Sequence, residues 1–220
     1  MVNLVILGAG GFGREMHGWL RHAQAAKPHA FRIKGFLDDN PTILSGIPDI
    51  APIIGNFSTY QLEETDHLVC ALGNPLDKLR VCAQWKQRGA RFFTFVHPTA
   101  VIGERVRLGE GTIVCPGVVL TSDIEIGEFV TLNVGSSVGH DARIGRGSTL
   151  SGHADVTGKA ELGEGVFLGS HAVVAPGVKI GDGSRVGAGS VAIKNVADRS
   201  VVFGVPAKFL MELGKNADQD

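Results

Sequence analysis

The sequence predicts an α/β domain with a mainly parallel sheet (residues 1–95), then an all-β parallel β-helix (96–205), then a short C-terminal helix and tail (206–220). Three observations predict this. Before about residue 95, short apolar runs alternate with stretches of helical spacing. From Ile102 an aliphatic residue recurs at every sixth position as far as Val186, fifteen times without a miss. Glycine, at 31 of 220 residues, is about twice its ordinary share of ~7%, so its placement is informative.

In the first region, residues 2–7 are an apolar strand candidate that runs into Gly8-Ala9-Gly10-Gly11-Phe12-Gly13. The stretch from Arg14 to about Ala26 has few helix breakers, and Met16, Trp19 and Leu20 have amphipathic spacing. Phe31–Leu37 and His67–Leu72 are further strand candidates. Gly73-Asn74-Pro75 then supplies a turn, an N-cap and a first-turn proline for a helix to about Gln87. Arg91–Val96 reads as a closing strand. The arrangement is Rossmann-like, with a glycine turn between a strand and a helix.

In the second region the inward series is Ile102, Leu108, Val114, Leu120, Ile126, Leu132, Val138, Ile144, Leu150, Val156, Leu162, Leu168, Val174, Ile180 and Val186. The position four after each is always Val, Ile, Thr, Ser or Ala, and nine of the fifteen are followed directly by Gly. A six-residue unit cannot bury its own apolar face and must stack on its neighbours. Glycine permits tight turns at the corners. Three hexads make a triangular coil of 18 residues, so residues 102–191 amount to five coils. A sandwich or barrel would need period-two alternation instead.

Composition narrows the function. Lys and Arg number 21 against 22 Asp and Glu, with no basic stripe, which speaks against nucleic-acid binding. Cys70, Cys82 and Cys115 are odd in number and have no metal-clip spacing. The amino terminus lacks a secretory pattern and no apolar run reaches the ~18 residues of a membrane span. A cytoplasmic protein without membrane contact is the expectation.

The glycine turn suits a phosphate at a helix N-terminus. Asp38 lies 25 residues beyond Gly13, where an acidic residue for a dinucleotide is expected ~20 on, and one unit of this size is too small for two nucleotide halves. A single nucleotide diphosphate fits better. His140, in Gly139-His140-Asp141, stands just past the inward Val138 at a corner and is the candidate general base, since histidine titrates near neutrality. Gly158 occupies the equivalent place one coil on, about one strand spacing of ~4.8 Å away, where its amide can meet an oxyanion.

GAGGFG at 8–13, Phe36-Leu37-Asp38-Asp39, Leu72-Gly73-Asn74, Gly139-His140-Asp141 and Gly204-Val205-Pro206-Ala207-Lys208 occur in one order. On these motifs the chain, from residue 2 to about 210, resembles the two-domain hexapeptide-repeat sugar acyltransferases. That family is typified by the sialic acid O-acetyltransferases and the bacillosamine-pathway N-acetyltransferase, with perosamine-type enzymes among its relatives. The resemblance implies a left-handed β-helix, acetyl-CoA as co-substrate without a metal, and a homotrimer with sites between subunits. It implies N-acetylation of a nucleotide-linked amino-deoxysugar in surface polysaccharide, O-antigen or glycan biosynthesis. The Gly8, Gly10, Gly11 and Phe12 backbone would hold the diphosphate, Asp38 and Asp39 would sit near the nucleoside, and Gly73 and Asn74 would line the same crevice. Asp141 would orient His140, and Asn133 would lie near the acceptor, a corner asparagine in left-handed backbone being the alternative.

Carrying the coenzyme contacts across lands on Thr149, Gly158, Ser170 and Ala188. The bacillosamine enzyme has histidine, isoleucine and glycine where this chain has Thr149, Ser170 and Ala188. Cys115 has no adjacent base, which favours direct attack over an acyl-enzyme. Two other readings stand beside this one. One is O-acetylation of a sialic acid, which the site residues do not separate from N-acetylation. The other is a zinc hydratase of the γ-carbonic anhydrase type, suggested by His153 and His171 one coil apart, though the close histidine pair of such sites is missing.

Overall fold

The computed structural model describes residues 1–27 and 30–214. Val2–Leu7 (β1), Phe31–Leu37 (β2), Ile53–Gly55 (β3), Asp66–Cys70 (β4) and Arg91–Phe92 (β5) form a parallel sheet in the order β3-β2-β1-β4-β5. Leu4, Val5, Ile6 and Leu7 are fully buried, because helices cover both faces of this central strand. Gly11–Ala26 (α1) packs on one face and Pro75–Gln87 (α2) on the other. Chain order reverses between β1 and β4, so a crevice opens at their carboxyl ends.

The expected closing strand over 91–96 is two strands in two domains. Arg91–Phe92 pairs with β4, whereas Phe95–Val96 pairs with Ile113–Val114 of the solenoid. The apolar run could not reveal the break, which comes from the backbone changing partners at Phe93-Thr94.

From there the chain winds as a left-handed parallel β-helix, against the ordinary hand of parallel crossovers. Its three faces are sheets of two-residue strands. The first face holds Val101–Ile102 to Val191–Ala192, the second Arg107–Leu108 to Lys179–Ile180, and the third begins at Phe95–Val96. Register advances 18 residues per coil, as in Leu120↔Val138 and Val138↔Val156. Leu120, Leu132, Val138, Leu150, Val156, Leu168, Val174 and Val186 are fully buried, each contributing about 1.5–3 kcal/mol. Ile102 remains 38% exposed, because the first coil has a neighbour on one side only.

The corner glycines have a different role from the one expected. The residue at φ near +60° is the third after each aliphatic, as at Arg105, Gly117, Asp123, Phe129, Asp141 and His153. The glycine directly after the aliphatic is needed for close approach instead. A Cβ on Gly103 would stand 1.5 Å from the Thr121 carbonyl oxygen of the next coil.

The predicted C-terminal helix is corrected. Lys208–Glu212 is a strand, antiparallel to Ser200–Phe203 at the end of the third face, and residues 215–220 lie outside the described residues. Stacking on the last coil supplies ladder partners that a short isolated helix would lack. The α/β domain sits on the third face. Lys86 of α2 bonds Glu110 at 2.9 Å and Glu128 at 2.8 Å, while His22 of α1 bonds His97 at 2.9 Å.

Candidate active site

Two lobes of the site take shape on one chain. The first is the crevice at the carboxyl end of the parallel sheet. Gly8 has φ +92°, and a Cβ on Gly13 would meet the Gly8 carbonyl oxygen at 2.0 Å, so both glycines are required by the turn itself. At Gly10, Gly11 and Gly73 an added Cβ meets nothing within 4 Å. The fold does not need bare backbone there. The amides of Gly10, Gly11 and Phe12 donate to no group among the described residues, and they open the 16-residue helix α1, whose dipole favours an anion.

Asp38 and Asn74 are more committed than expected. Asp38 accepts from the Ala9 amide at 2.8 Å and from the Asn40 amide at 2.9 Å, so its carboxylate closes the glycine turn. Asp39 accepts from the Phe57 amide at 3.2 Å and is exposed. The Asn74 side chain caps α2, accepting from Leu76 at 2.9 Å and Asp77 at 3.4 Å.

The second lobe is the edge between the first and second faces. His140 Nδ1 and Asp141 Oδ2 are 2.8 Å apart. Neighbouring side chains on a straight strand diverge, but Asp141 has φ +60°, which turns its carboxylate onto the imidazole. The ring's other nitrogen lies over Gly158: a Cβ there would be 2.7 Å from His140 Nε2. The Gly158 amide donates to no group among the described residues. An imidazole, a carboxylate and an unbonded amide donor therefore share one solvent-accessible corner, an arrangement that can take up a proton and hold an anion.

The remaining residues lie elsewhere on the chain. Asn133, Ser170 and Ala188 stand on the edge between the third and first faces, where His153 and His171 stack at 5.0 Å and 14°. Ser170 follows His140 by 30 residues, one coil of 18 plus two faces of six, which places it on another edge of the prism. The Asn133 backbone is not left-handed; Gly135 takes that conformation and Asn133 Oδ1 accepts from the Val134 amide at 2.7 Å. Thr149 is buried beneath α2, where Lys78 donates to its hydroxyl. Nothing in the sequence pattern marked Lys78, which reads as a helix surface residue until the domains dock.

Comparison with known proteins bears on these lobes. Residues 3–85 match the PglD N-terminal domain family and residues 159–193 the bacterial transferase hexapeptide family. The chain is 30% identical to PerB from Caulobacter crescentus, whose structure holds CoA and GDP-perosamine. The similarity covers 96% of this chain and 98% of that one, with a TM-score of 0.84. The chain belongs to the PglD-type hexapeptide sugar acetyltransferases.

WeeI from Acinetobacter baumannii AYE is 26% identical, over 96% of this chain and 100% of that one, with a TM-score of 0.83. The acetyltransferase domain of PglB from Neisseria gonorrhoeae FA1090, at 24% identity over 96% of this chain and 100% of that one, shares the fold with a TM-score of 0.86. No curated protein matches in sequence comparison. In this acetyltransferase no group of three or more His, Cys, Asp or Glu is placed to hold a metal among the described residues. No described helix is long and apolar enough to cross a membrane. Cys115 is buried, and burial pushes its thiol well up.

Proposed function

We propose that the protein moves acetyl from acetyl-CoA to the amino group of a nucleotide-linked amino-deoxysugar, by direct attack within a ternary complex. The observation that carries this reading is the His140–Asp141–Gly158 corner on a chain that also presents free helix-terminal amides for a diphosphate. His140 Nε2 takes a proton from the attacking nitrogen as the N–C bond forms at the thioester carbonyl. Asp141 holds Nδ1–H and so leaves Nε2 as acceptor. The Gly158 amide receives the oxyanion, and collapse expels the CoA thiolate, which takes up a proton. The GDP-perosamine held by PerB supports an amine acceptor over the hydroxyl of a sialic acid.

The active assembly in this reading is a homotrimer around the first face. The three faces differ in outward chemistry. The third is covered by the α/β domain. The second carries Arg107, Glu125, Arg143, Glu161 and Lys179 in alternating sign, suited to solvent. The first exposes Val101 at 58% and Val119 at 39%. It lies between the Asn133–Ser170 edge and the His140 edge, so a threefold axis along it brings one edge of each subunit to the other edge of the next. The reaction would belong to the cytoplasmic assembly of a surface polysaccharide such as an O-antigen.

The test is thiol release from acetyl-CoA over a panel of nucleotide-linked amino sugars and free sialic acid. Release with an amino sugar, and loss of it in His140→Asn, is expected. Release with sialic acid alone would overturn the assignment of the acceptor.

A further inference from the structure

Lys78 is 1% exposed, and no carboxylate among the described residues pairs with it. An ammonium taken from water without a counter-ion is costly unless every proton finds an acceptor. Here the three protons have three acceptors: Thr131 Oγ1 at 2.9 Å, Thr149 Oγ1 at 2.9 Å and the Ser148 carbonyl at 3.3 Å. All three lie on the third face of the β-helix. Burial pushes the ammonium down to about 8. An apolar side chain would fill the same space without these costs, but it would carry no hydrogen bonds to mark one coil from the next.

The connections from Lys78 lead to the nucleotide crevice. Its own amide donates to the Asn74 carbonyl at 3.0 Å, so it stands one turn into α2 from the residue that caps it. Thr149 Oγ1, which accepts from Lys78, donates its single proton to the Gly73 carbonyl at 3.4 Å. Gly73 and Asn74 lie in the turn between β4 and α2, at the carboxyl end of the sheet where the crevice opens. Thr149 belongs to the coil that carries His140, whose strands are Ser137–Val138, Arg143–Ile144 and Thr149–Leu150. A slip of one coil would move the crevice ~4.8 Å along the axis, more than the ~3–3.5 Å that separates reacting atoms in a productive complex.

We propose that Lys78, acting through the hydroxyls of Thr149 and Thr131, is a positioning residue that holds the acceptor crevice at the level of the His140 coil. Thr149 thereby belongs to the acceptor side of the site and not to the coenzyme side. The inference rests on the acceptor reading above.

Thr149→Val removes the hydroxyl at constant shape, and Thr149→Ser restores it. For Thr149→Val, KM for the nucleotide amino sugar rises about tenfold while KM for acetyl-CoA stays within about twofold. Thr149→Ser returns the first constant to near the wild-type value. Lys78→Met shows the same split, larger; if it fails to fold, the threonine pair carries the test. An unchanged acceptor KM in Thr149→Val, or a rise in the acetyl-CoA constant instead, overturns the proposal. Amide hydrogen exchange at Leu76, Asp77 and Lys78, whose amides Asn74 accepts, separates this outcome from failure of the functional reading. Faster exchange in Thr149→Val but not in Thr149→Ser is expected even if no nucleotide sugar is turned over, and equal exchange in wild type and both variants overturns the positioning role.

Discussion

His140 and Gly158 are in contact across successive coils, the imidazole lying where a side chain of residue 158 would begin, 2.7 Å from Nε2 to the position of a Cβ. The ring therefore has its present place because residue 158 has no side chain. Gly158→Ala is expected to displace the ring and to obstruct the amide beneath it. The backbone of Gly158 is not left-handed, so alanine fits the local conformation and the fold should persist. Loss of kcat by about 10²–10³, with an unchanged melting temperature, is the expected outcome of thiol-release kinetics and thermal unfolding.

Asp141 acts on the same ring from the other side through its 2.8 Å contact with Nδ1. His140→Asn should lower kcat by about 10²–10⁴ with little change in KM. Asp141→Asn should lower it less. Asparagine tolerates φ +60° and leaves the corner intact, but its amide can steer the imidazole to the wrong tautomer. Equal activity of Asp141→Asn and wild type from pH 6 to 9 would remove the orienting role.

Gly13 and Gly10 should separate packing from binding. A methyl group on Gly13 collides with the Gly8 carbonyl at 2.0 Å, whereas one on Gly10 meets nothing within 4 Å. Gly13→Ala is expected to lower the unfolding midpoint by about 1–3 kcal/mol of stability. Gly10→Ala should leave stability within about 0.5 kcal/mol and raise KM for the nucleotide sugar, a result read from denaturant unfolding beside kinetics.

The His22–His97 contact makes the domain junction sensitive to acid. His97 is 2% exposed, and burial, followed by the neighbouring His22, lowers its pKa below the ordinary 6.5. Between that lowered value and 6.5 the unfolded chain binds more protons than the folded one. Stability is therefore full above 6.5 and is lost as the pH falls through the window beneath it. His17 is likewise lowered, by burial and then Arg21, so the informative comparison is with His97→Gln, which should show a shallower acid decline in melting temperature.

A mixing experiment tests the proposed trimer. If the proposed site lies between subunits, Ser170→Trp blocks the Ser170 edge of one subunit and His140→Asn disables the His140 edge of another. Each variant alone is expected to be nearly inactive. Refolded mixtures should recover on the order of one quarter of wild-type activity, because some interfaces then pair two intact edges. No recovery would place both edges in one subunit's site.

Much of the scaffold was legible in the sequence because a hexad repeat is a local rule applied many times. Inward aliphatics at every sixth position from Ile102 to Val186 can be buried together only if coils stack, and the 18-residue register of Val138 on Val156 follows from counting. The same counting placed Gly158 beside His140. The left-handed corner residue was less legible, since Asp141 or His153 can occupy it as readily as glycine, and sequence alone does not show which backbone torsion bears the turn.

The sequence by itself thus determined the change from an α/β region to a β-helix, the coil repeat and the juxtaposition of His140 with Gly158, all of which depend on spacing along the chain. Tertiary structure decided the rest. It assigned Asp38 to closing the glycine turn, placed Thr149 at the domain junction, turned the expected C-terminal helix into a strand and buried Lys78. Each of these depends on which surfaces meet between segments distant in sequence, such as α2 against the third face. Docking of that kind is set by shape and by saturation of buried hydrogen bonds, and neither leaves a period in the sequence.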